Sequence, residues 1–217
     1  MPVTRGPAGE SKMKYFADLW VDEFIDSIKE KVLDVGAGES PLKFATHVID
    51  YMDYDKRGVS QGVSADQDKF TKETWNSSDF YQMPWNYPDK FFDFVNCVQT
   101  LEDIRDPISV CREMIRVGNA GFIQCPNIIS ELNENFWHHR WFVRNYNGKL
   151  QFLHKSYGIT MSDEIKKILK ELMESRTHDE NATGMRWQIS FEYEEIYCKT
   201  EEEYNKVLNE WIAEEMK

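Results

Sequence analysis

Residues 31–40, with the sequence KVLDVGAGES, decide the fold of this chain. The apolar run over residues 32–35 predicts a short buried β-strand. It stops at Gly36 and Gly38, which let the chain turn tightly and leave backbone N–H groups accessible at the start of the next element. A buried strand followed by such a turn is typical of the first unit of an α/β domain with a ligand at the end of the strand.

The chain on either side of this stretch alternates between two hydrophobic periods. A three- and four-residue spacing predicts helices, and short apolar runs predict strands. A good N-cap, Asp106, precedes one of these helices. The predicted elements are a helix over 13–30, strands over 47–49, 91–98 and 120–125, and a helix over 107–117. Strands separated by helices form βαβ units, so we expect a Rossmann-like α/β fold, with a mostly parallel sheet and helices on both faces.

The pattern changes after Pro126. Asn147-Gly148 is a strong hairpin signal between two apolar runs, and Ser162 is a good N-cap for an amphipathic helix. The expected elements are a hairpin of 141–143 and 150–153, a helix over 162–175, a strand over 185–198 and an acidic helix over 201–215. We therefore predict a flexible arm over 1–12, a ligand-binding domain over 13–127, and a C-terminal α+β extension over 128–217 that completes the sheet and caps the site.

Composition narrows the classes of function. The 217 residues carry a formal net charge of −12, which disfavours a nucleic acid partner, because proteins that bind nucleic acids usually present a basic face. The four cysteines, Cys97, Cys111, Cys125 and Cys198, form no CxxC pair, so no metal site is expected. No apolar run reaches the roughly 20 residues of a membrane span, so we expect a cytoplasmic protein without membrane contact. An oligomer is possible.

The glycine turn suits one class of cofactor better than another. A dinucleotide needs the pattern GxGxxG, but Pro41 stands where the third glycine would be, so a nicotinamide oxidoreductase is the weakest alternative. S-adenosylmethionine (SAM) has no phosphate; it carries an amino acid end, a sulfonium, a ribose and an adenine. Asp34 can hold the turn and face the methionyl ammonium, directly or through water, and Asp50, at the end of the second strand, can accept both ribose hydroxyl groups.

Further motifs follow in a fixed order. After the Asp-x-Gly-x-Gly turn and Asp50 come Asp-x-x-x-Met-Pro-Trp over 79–85, Phe-Asp-Phe-Val over 92–95, Leu-Glu-x-x-x-Asp-Pro over 101–107 and Arg-Val-Gly-x-x-Gly-Phe-Ile-x-x-Pro over 116–126. In this order and spacing, the chain over about 30–127 resembles the class I SAM-dependent methyltransferases of the methyltransferase type 11 group. The resemblance implies SAM as cofactor and S-adenosylhomocysteine (SAH) as product.

The resemblance also implies roles for individual residues. They are the methionyl contacts Asp34, Gly36, Ala37 and Gly38, the ribose contact Asp50 with Tyr51 near the adenine face, the adenine neighbours Asp79 and Phe80, and the strand tip around Cys97 beside the sulfonium. Two positions depart from the group's pattern. Ser40 replaces a frequent third glycine, and Leu-Glu-Asp at 101–103 replaces a common Leu-Glu-His.

The acceptor would be bound by the segment after Pro126. The aromatic stretch over 135–142 offers His138 or His139 as a general base, with Asp103 as a further catalytic candidate. Its other side chains could contact the acceptor: Arg140 as the partner of an anionic group, and Trp137 and Trp141 as walls that exclude water. The favoured interpretation is O- or N-methylation of a small molecule. The alternatives are a non-catalytic binding module with the SAM fold and a methyltransferase that acts on protein or RNA.

Overall fold

The computed structural model describes residues 31–38, 41–56, 69–77, 81–157, 159, 161–177 and 180–216. The predicted arm over 1–12, the predicted helix over 13–30, and Asp79 and Phe80 lie outside these residues.

Nine strands, four helices and one short 3-10 turn make up the described chain. The strands are β1 (Val32–Val35), β2 (His47–Ile49), β3 (Trp75–Asn76), β4 (Phe92–Val98), β5 (Gly118–Pro126), β6 (Trp141–Tyr146), β7 (Lys149–His154), β8 (Ala182–Gln188) and β9 (Glu192–Ile196). The helices are α1 (Pro107–Val117), α2 (Ile128–Glu134), α3 (Asp163–Ser175) and α4 (Glu201–Glu215), and the 3-10 turn is Tyr54–Lys56. Helix α1 has the predicted bounds, and the N–H of Ser109 donates to Asp106 at 2.9 Å, which confirms the N-cap.

The larger sheet has six strands in the order β3-β2-β1-β4-β5-β8. Strand β1 pairs in parallel with both β2 and β4, and β2 pairs in parallel with β3. Parallel neighbours need a crossover connection between strands, which βαβ units provide. The protein therefore has the Rossmann-like α/β fold with a mostly parallel sheet that the sequence predicts.

The described chain forms two compact units that interleave along the sequence. The first takes the described residues up to Val98, with Arg112–Phe122 and Arg186–Ser190. The second takes Gln99–Cys111, Ile123–Met185 and Phe191 onward. The predicted division between residues 127 and 128 stays a prediction.

The core of the first unit packs large apolar side chains around β1. Its buried members include Val32, Leu42, Val48, Phe70, Trp75 and Phe94. Backbones also approach closely here, because a Cβ on Gly121 of β5 would lie 2.3 Å from the carbonyl oxygen of Val95 and 2.6 Å from the Trp187 ring. Only glycine fits that position.

The second unit contains a three-stranded sheet and a cluster of helices. The sheet order is β6-β7-β9, in which β6 and β7 form the predicted antiparallel hairpin through Asn147-Gly148, both at positive φ. Helix α3 begins at the predicted N-cap Ser162. Helix α4 buries Tyr204, Leu208 and Trp211, as its spacing predicts. These side chains pack with others from α2, α3 and β6 into one apolar core.

Two sequence expectations about this region need correction. A single strand over 185–198 is wrong, because the chain forms β8 in the larger sheet and then β9 in the smaller one. Ile189, at φ 69°, turns the chain between them. The sequence pattern also contains no prediction of helix α2, which is only seven residues long.

Among the described residues, no helix has the length and apolar character that a membrane crossing needs.

Candidate functional site

The glycine turn after β1 has the backbone that its sequence predicts. Gly36 and Gly38 both have positive φ, 73° and 57°, which residues with a side chain rarely adopt. The N–H of Gly36 donates to the carbonyl of Ile49 at 2.8 Å, so the turn is tied to the end of the neighbouring strand β2. Strands β1 and β2 end in register, with Val35 opposite Ile49, and the turn therefore lies at the carboxyl edge of the sheet.

Asp50 follows β2 directly and closes this turn. Its side chain is buried, and its two carboxylate oxygens accept different backbone N–H groups. Oδ2 accepts from Gly38 at 2.6 Å, and Oδ1 accepts from Met52 at 2.7 Å. One carboxylate thus fixes the glycine turn and the start of the next loop, and each oxygen keeps a further lone pair for a ligand.

Asp34, in β1, is buried on the inner side of the same loop. Its Oδ2 accepts from the N–H of Leu42 at 2.6 Å, and its Oδ1 accepts from the side-chain amide of Asn96 in β4 at 2.8 Å. Asp34 therefore links the loop after the glycine turn to the strand on the other side of β1. The role of Asp34 toward the turn and the methionyl ammonium stays a prediction.

The two carboxylates lie in an environment that disfavours their charge. Burial raises the pKa of Asp34 from 3.8 to about 6 against the effect of its hydrogen bonds, and the charge of Asp50 raises it further. Burial also raises the pKa of Asp50. The positive charge of Lys69 acts in the opposite direction on Asp34. A cation bound near this pair would favour their ionised forms.

The remaining predicted cofactor residues lie around the same strand ends. Ala37 is half-buried between the two glycines, and Cys97 is fully buried opposite Val35 in the β1–β4 pair. Tyr51 is 75% exposed, so its ring is accessible to a ligand. A Cβ on Gly38 would meet no atom of the described residues within 4 Å, so these residues leave space beside the turn.

In the second unit, the three predicted catalytic side chains come together. His139 Nε2 lies 3.4 Å from Asp103 Oδ1, and His138 Nε2 lies 4.0 Å from the same oxygen. The other ring nitrogen of His139, Nδ1, bonds the buried carboxylate of Glu131 in α2 at 2.7 Å. Burial opposes ionisation of His139, but the bond to Glu131 and the charge of Asp103 raise its pKa above the usual value.

Two further ionisable groups border this cluster. Lys155 Nζ donates to Glu131, whose side chain is 1% exposed. Burial raises the pKa of Glu102, next to Asp103 in the chain, to about 8. The carbonyl of Glu102 accepts the N–H groups of Arg140 at 2.6 Å and Trp141 at 3.1 Å, which fixes the two chain segments of the cluster to each other.

The predicted acceptor contacts differ in exposure. Trp137 is 93% exposed, and Arg140 is exposed as well. Trp141 is buried, and its indole N–H donates to the carbonyl of Ile104 at 2.8 Å, so packing within the unit accounts for its burial. Their roles toward an acceptor stay predictions.

Sequence reasoning missed Asn96 as a side-chain partner of Asp34, and Glu131 as the partner of His139. Asn96 had a signal, since it sits in the strand pattern at 91–98 level with Asp34. Glu131 had none, because α2 was not predicted and the helix ends at Asn135, between Glu131 and His139.

An α/β chain with a glycine turn after β1 and acidic side chains at the ends of β1 and β2 has the fold of the class I SAM-dependent methyltransferases. The model of the family described as "Methionine biosynthesis protein MetW" matches residues 18–152, and the chain belongs to this family. The resemblance predicted from the sequence is thereby confirmed.

Individual relatives are more distant. Ajmaline N-methyltransferase from Rauvolfia serpentina is 32% identical over 111 residues, which are 46% of this chain and 37% of that protein. The [4+2]-cyclase SpnF is 22% identical, with 50% of this chain and 43% of that chain covered and a TM-score of 0.36. The chain thus spans less than half the length of either. A SAM-dependent methyltransferase from Archaeoglobus fulgidus is 17% identical, with 74% and 86% covered and a TM-score of 0.37.

Proposed function

We propose that the protein is an enzyme that uses SAM to methylate a small-molecule acceptor. One observation carries the proposal: two buried carboxylates, Asp34 and Asp50, flank a positive-φ glycine turn at the ends of adjacent parallel strands. Both have raised pKa values, so the ionised pair lacks full compensation by the chain itself. A ligand with a positively charged ammonium and sulfonium and a ribose diol would supply that compensation.

The residues present fit such a ligand. The lone pairs that Asp50 keeps can accept hydrogen bonds from two ribose hydroxyl groups, and the turn around Gly36–Gly38 leaves space for the methionyl end. We assign Ala37 and the backbone at Cys97 to the same ligand, and the exposed ring of Tyr51 to its adenine. Asp79 and Phe80, outside the described residues, keep their predicted place beside the adenine.

When bound, SAM supplies a methyl group on a sulfonium, and the thioether that leaves needs no proton. The chain's contribution is then to bind, orient and dehydrate, which can supply much of the rate. We assign acceptor binding to Arg140, Trp137 and Trp141, as the sequence predicts. SAH is the expected product.

A small acceptor is supported by two facts. A relative 32% identical over 111 residues is named for N-methylation of ajmaline. The net charge of −12 disfavours a grip on a nucleic acid backbone.

One observation favours a second candidate, a non-catalytic binding module. All four carboxylate oxygens of Asp34 and Asp50 already accept hydrogen bonds from the chain, so both side chains have a structural role without any ligand. The name of the family, a methionine biosynthesis protein, states no catalytic step. This candidate predicts tight SAM binding without transfer to any member of a broad acceptor panel.

Calorimetric titration of the protein with SAM and SAH tests the cofactor site. In Asp50→Asn, an NH₂ group replaces one of the two carboxylate oxygens, so one hydrogen-bond acceptor for the backbone or for the ribose is lost. Hydrogen bonds to charged groups contribute about 1.5–3 kcal/mol, so we expect SAM affinity to fall by about 10- to 100-fold.

Asp53→Asn is the matched control for this titration. Asp53 lies in the same loop, but its half-exposed side chain pairs with Lys56 at 2.9 Å. The control should bind SAM as the unaltered protein does. A protein that binds neither SAM nor SAH at millimolar concentration would exclude the proposed function.

A further inference from the structure

We propose that Asp103, His138 and His139 form a binding site for one divalent transition-metal ion, of which Zn²⁺ suits the donor set well. The site lies wholly in the second unit, and the inference does not depend on the proposed methyl transfer. It departs from the expectation of no metal, which rested on the cysteines alone.

The three donor atoms are arranged as metal ligands would be. One ring nitrogen of His138, one of His139 and an oxygen of Asp103 all lie within 4.8 Å of one another. Two ligands of a tetrahedral Zn²⁺, each about 2.1 Å from the ion, are separated by about 3.4 Å. The His139–Asp103 pair already has this separation, at 3.4 Å. The His138 side chain is 45% exposed, so its ring can rotate to shorten its 4.0 Å distance to Asp103.

Asp103 supplies an unsatisfied acceptor at the centre of the group. Its Oδ1 is buried and accepts no hydrogen bond from the described part of the chain, although two imidazole nitrogens face it. A buried carboxylate oxygen without a partner is unfavourable, and such atoms in native proteins often mark a missing ion or water. An ion between Oδ1 and the two Nε2 atoms would satisfy all three at once.

His139 is held as a metal-binding histidine usually is. Its Nδ1 bonds the Glu131 carboxylate at 2.7 Å, and Lys155 in turn donates to Glu131. A carboxylate on one ring nitrogen fixes the tautomer and the ring plane, and it makes the other nitrogen the better ligand. With Glu131 as acceptor, Nδ1 carries the proton, so in the neutral ring Nε2 presents its lone pair toward Asp103.

The backbone makes the site rigid before any ion arrives. Helix α2 ends at Asn135, whose φ of 45° turns the chain back, and the Glu102 carbonyl then holds the N–H groups of Arg140 and Trp141. Glu102 precedes Asp103 and Arg140 follows His139, so these main-chain bonds place Asp103 and His139 near each other. A site assembled in this way binds a metal with little further loss of conformational entropy.

The charges around the site and the number of protein ligands indicate which ion the site would bind and what it could do. Two carboxyl groups, those of Asp103 and Glu131, lie beside the same histidine with one lysine, Lys155, so a divalent cation would improve the local charge balance. Three protein ligands leave a fourth position for water or an anionic ligand, as in catalytic rather than structural zinc sites. A metal on Nε2 occupies the lone pair that the general-base role needs, so the two roles of the histidines exclude each other.

The test is calorimetric titration of the metal-free full chain with Zn²⁺, repeated with Co²⁺ and read by visible absorption. We expect one ion per chain and the d–d bands of nitrogen and oxygen ligation. Loss of a residue that only orients a metal ligand lowers metal affinity by about 10- to 100-fold. Asp103→Asn and His138→Ala change the ligands themselves, so each should lower the Zn²⁺ affinity by more than about 100-fold. Glu131→Gln should lower it by about 10- to 100-fold, because Glu131 only orients His139.

His154→Ala is the matched control, since His154 is an exposed histidine of the same unit whose ring bonds Ser156 among the described residues. It should leave one Zn²⁺ per chain with unchanged affinity. His138 is exposed, so its removal should not unfold the protein, which circular dichroism checks. The proposal is overturned if the unaltered chain binds no Zn²⁺, or if Asp103→Asn and His138→Ala bind it as tightly as the control does. SAM binding is measured in a separate titration, so failure of the metal proposal can be distinguished from failure of the proposed function.

Discussion

Replacing Asp34 by asparagine should stabilise the protein at neutral and alkaline pH, although it removes a charged residue from the proposed cofactor site. Asp34 is 4% exposed and accepts one bond from Leu42 and one from Asn96. The amide of Asp34→Asn can keep both. Its oxygen accepts from Leu42, and its NH₂ group donates to the Oδ1 of Asn96, an atom that is buried and unpaired within the described chain, once the Asn96 amide flips.

The magnitude follows from the pKa of Asp34. Burial raises it from 3.8 to about 6, a difference of about two units. At 1.36 kcal/mol per unit, the ionised carboxylate lowers the free energy of unfolding by about 3 kcal/mol at a pH above 6. The folded state holds the proton of Asp34 more tightly than the unfolded state does. The protonated side chain therefore gives its full contribution to the free energy of unfolding below pH 3.8, and this contribution is lost as the pH rises toward and through about 6. The amide in Asp34→Asn does not titrate, so the variant should keep this contribution at every pH.

Urea unfolding of the variant and the unaltered protein, at pH about 4 and about 8, measures the difference on both sides of the sequence pI of 4.9. We expect near-equal stability at the lower pH and a variant more stable by about 2–3 kcal/mol at the higher pH. Asp163→Asn, which alters a fully exposed carboxylate, is the matched control. A variant less stable than the unaltered protein at pH about 8 would refute the reasoning, because the charge would then contribute more than its burial costs.

Three further substitutions test the packing, each by urea unfolding monitored by circular dichroism. Gly121→Ala places a methyl group 2.3 Å from a carbonyl oxygen, so it should destabilise by about 1–3 kcal/mol or more, and an unchanged midpoint would contradict the close approach of β5 to β4. Arg116→Lys loses the fork that bonds Glu113 at 2.6 and 2.8 Å, which should cost about 1–3 kcal/mol; equal stability would show that a point charge suffices there. Trp211→Ala empties a buried position of α4 and should cost about 3–5 kcal/mol, whereas Tyr197→Ala, at a 77% exposed side chain, should change little.

Local signals were enough to predict much of the fold. The strands at 32–35 and 47–49, the helix α1 and the 147–148 hairpin each depend on residues next to one another in the chain. A glycine after an apolar run, a capping aspartate or an Asn-Gly pair has the same effect in most contexts. These elements also placed Asp34 and Asp50 at neighbouring strand ends.

Other features depend on contacts that no local pattern encodes. The residues over 185–198 alternate as one strand would, and only the positive φ of Ile189 and the pairing with two different sheets divide them. Glu131 and His139 meet because α2 ends in a reversal at Asn135. Asp103 meets them from a segment far away in sequence, so the grouping of the three donors required the folded chain.

The passage from β8 to β9 has a consequence for how the chain can be made. Consecutive strands join different sheets, and among the described residues β8 lies at one end of the six-stranded sheet, next to β5. The two units therefore cannot be separated into gene fragments by a single cut. On the ribosome, β5 stays without its neighbour β8 until residues 182–188 have been synthesised, and a product truncated before β8 would expose the edge of β5 to pairing with other chains.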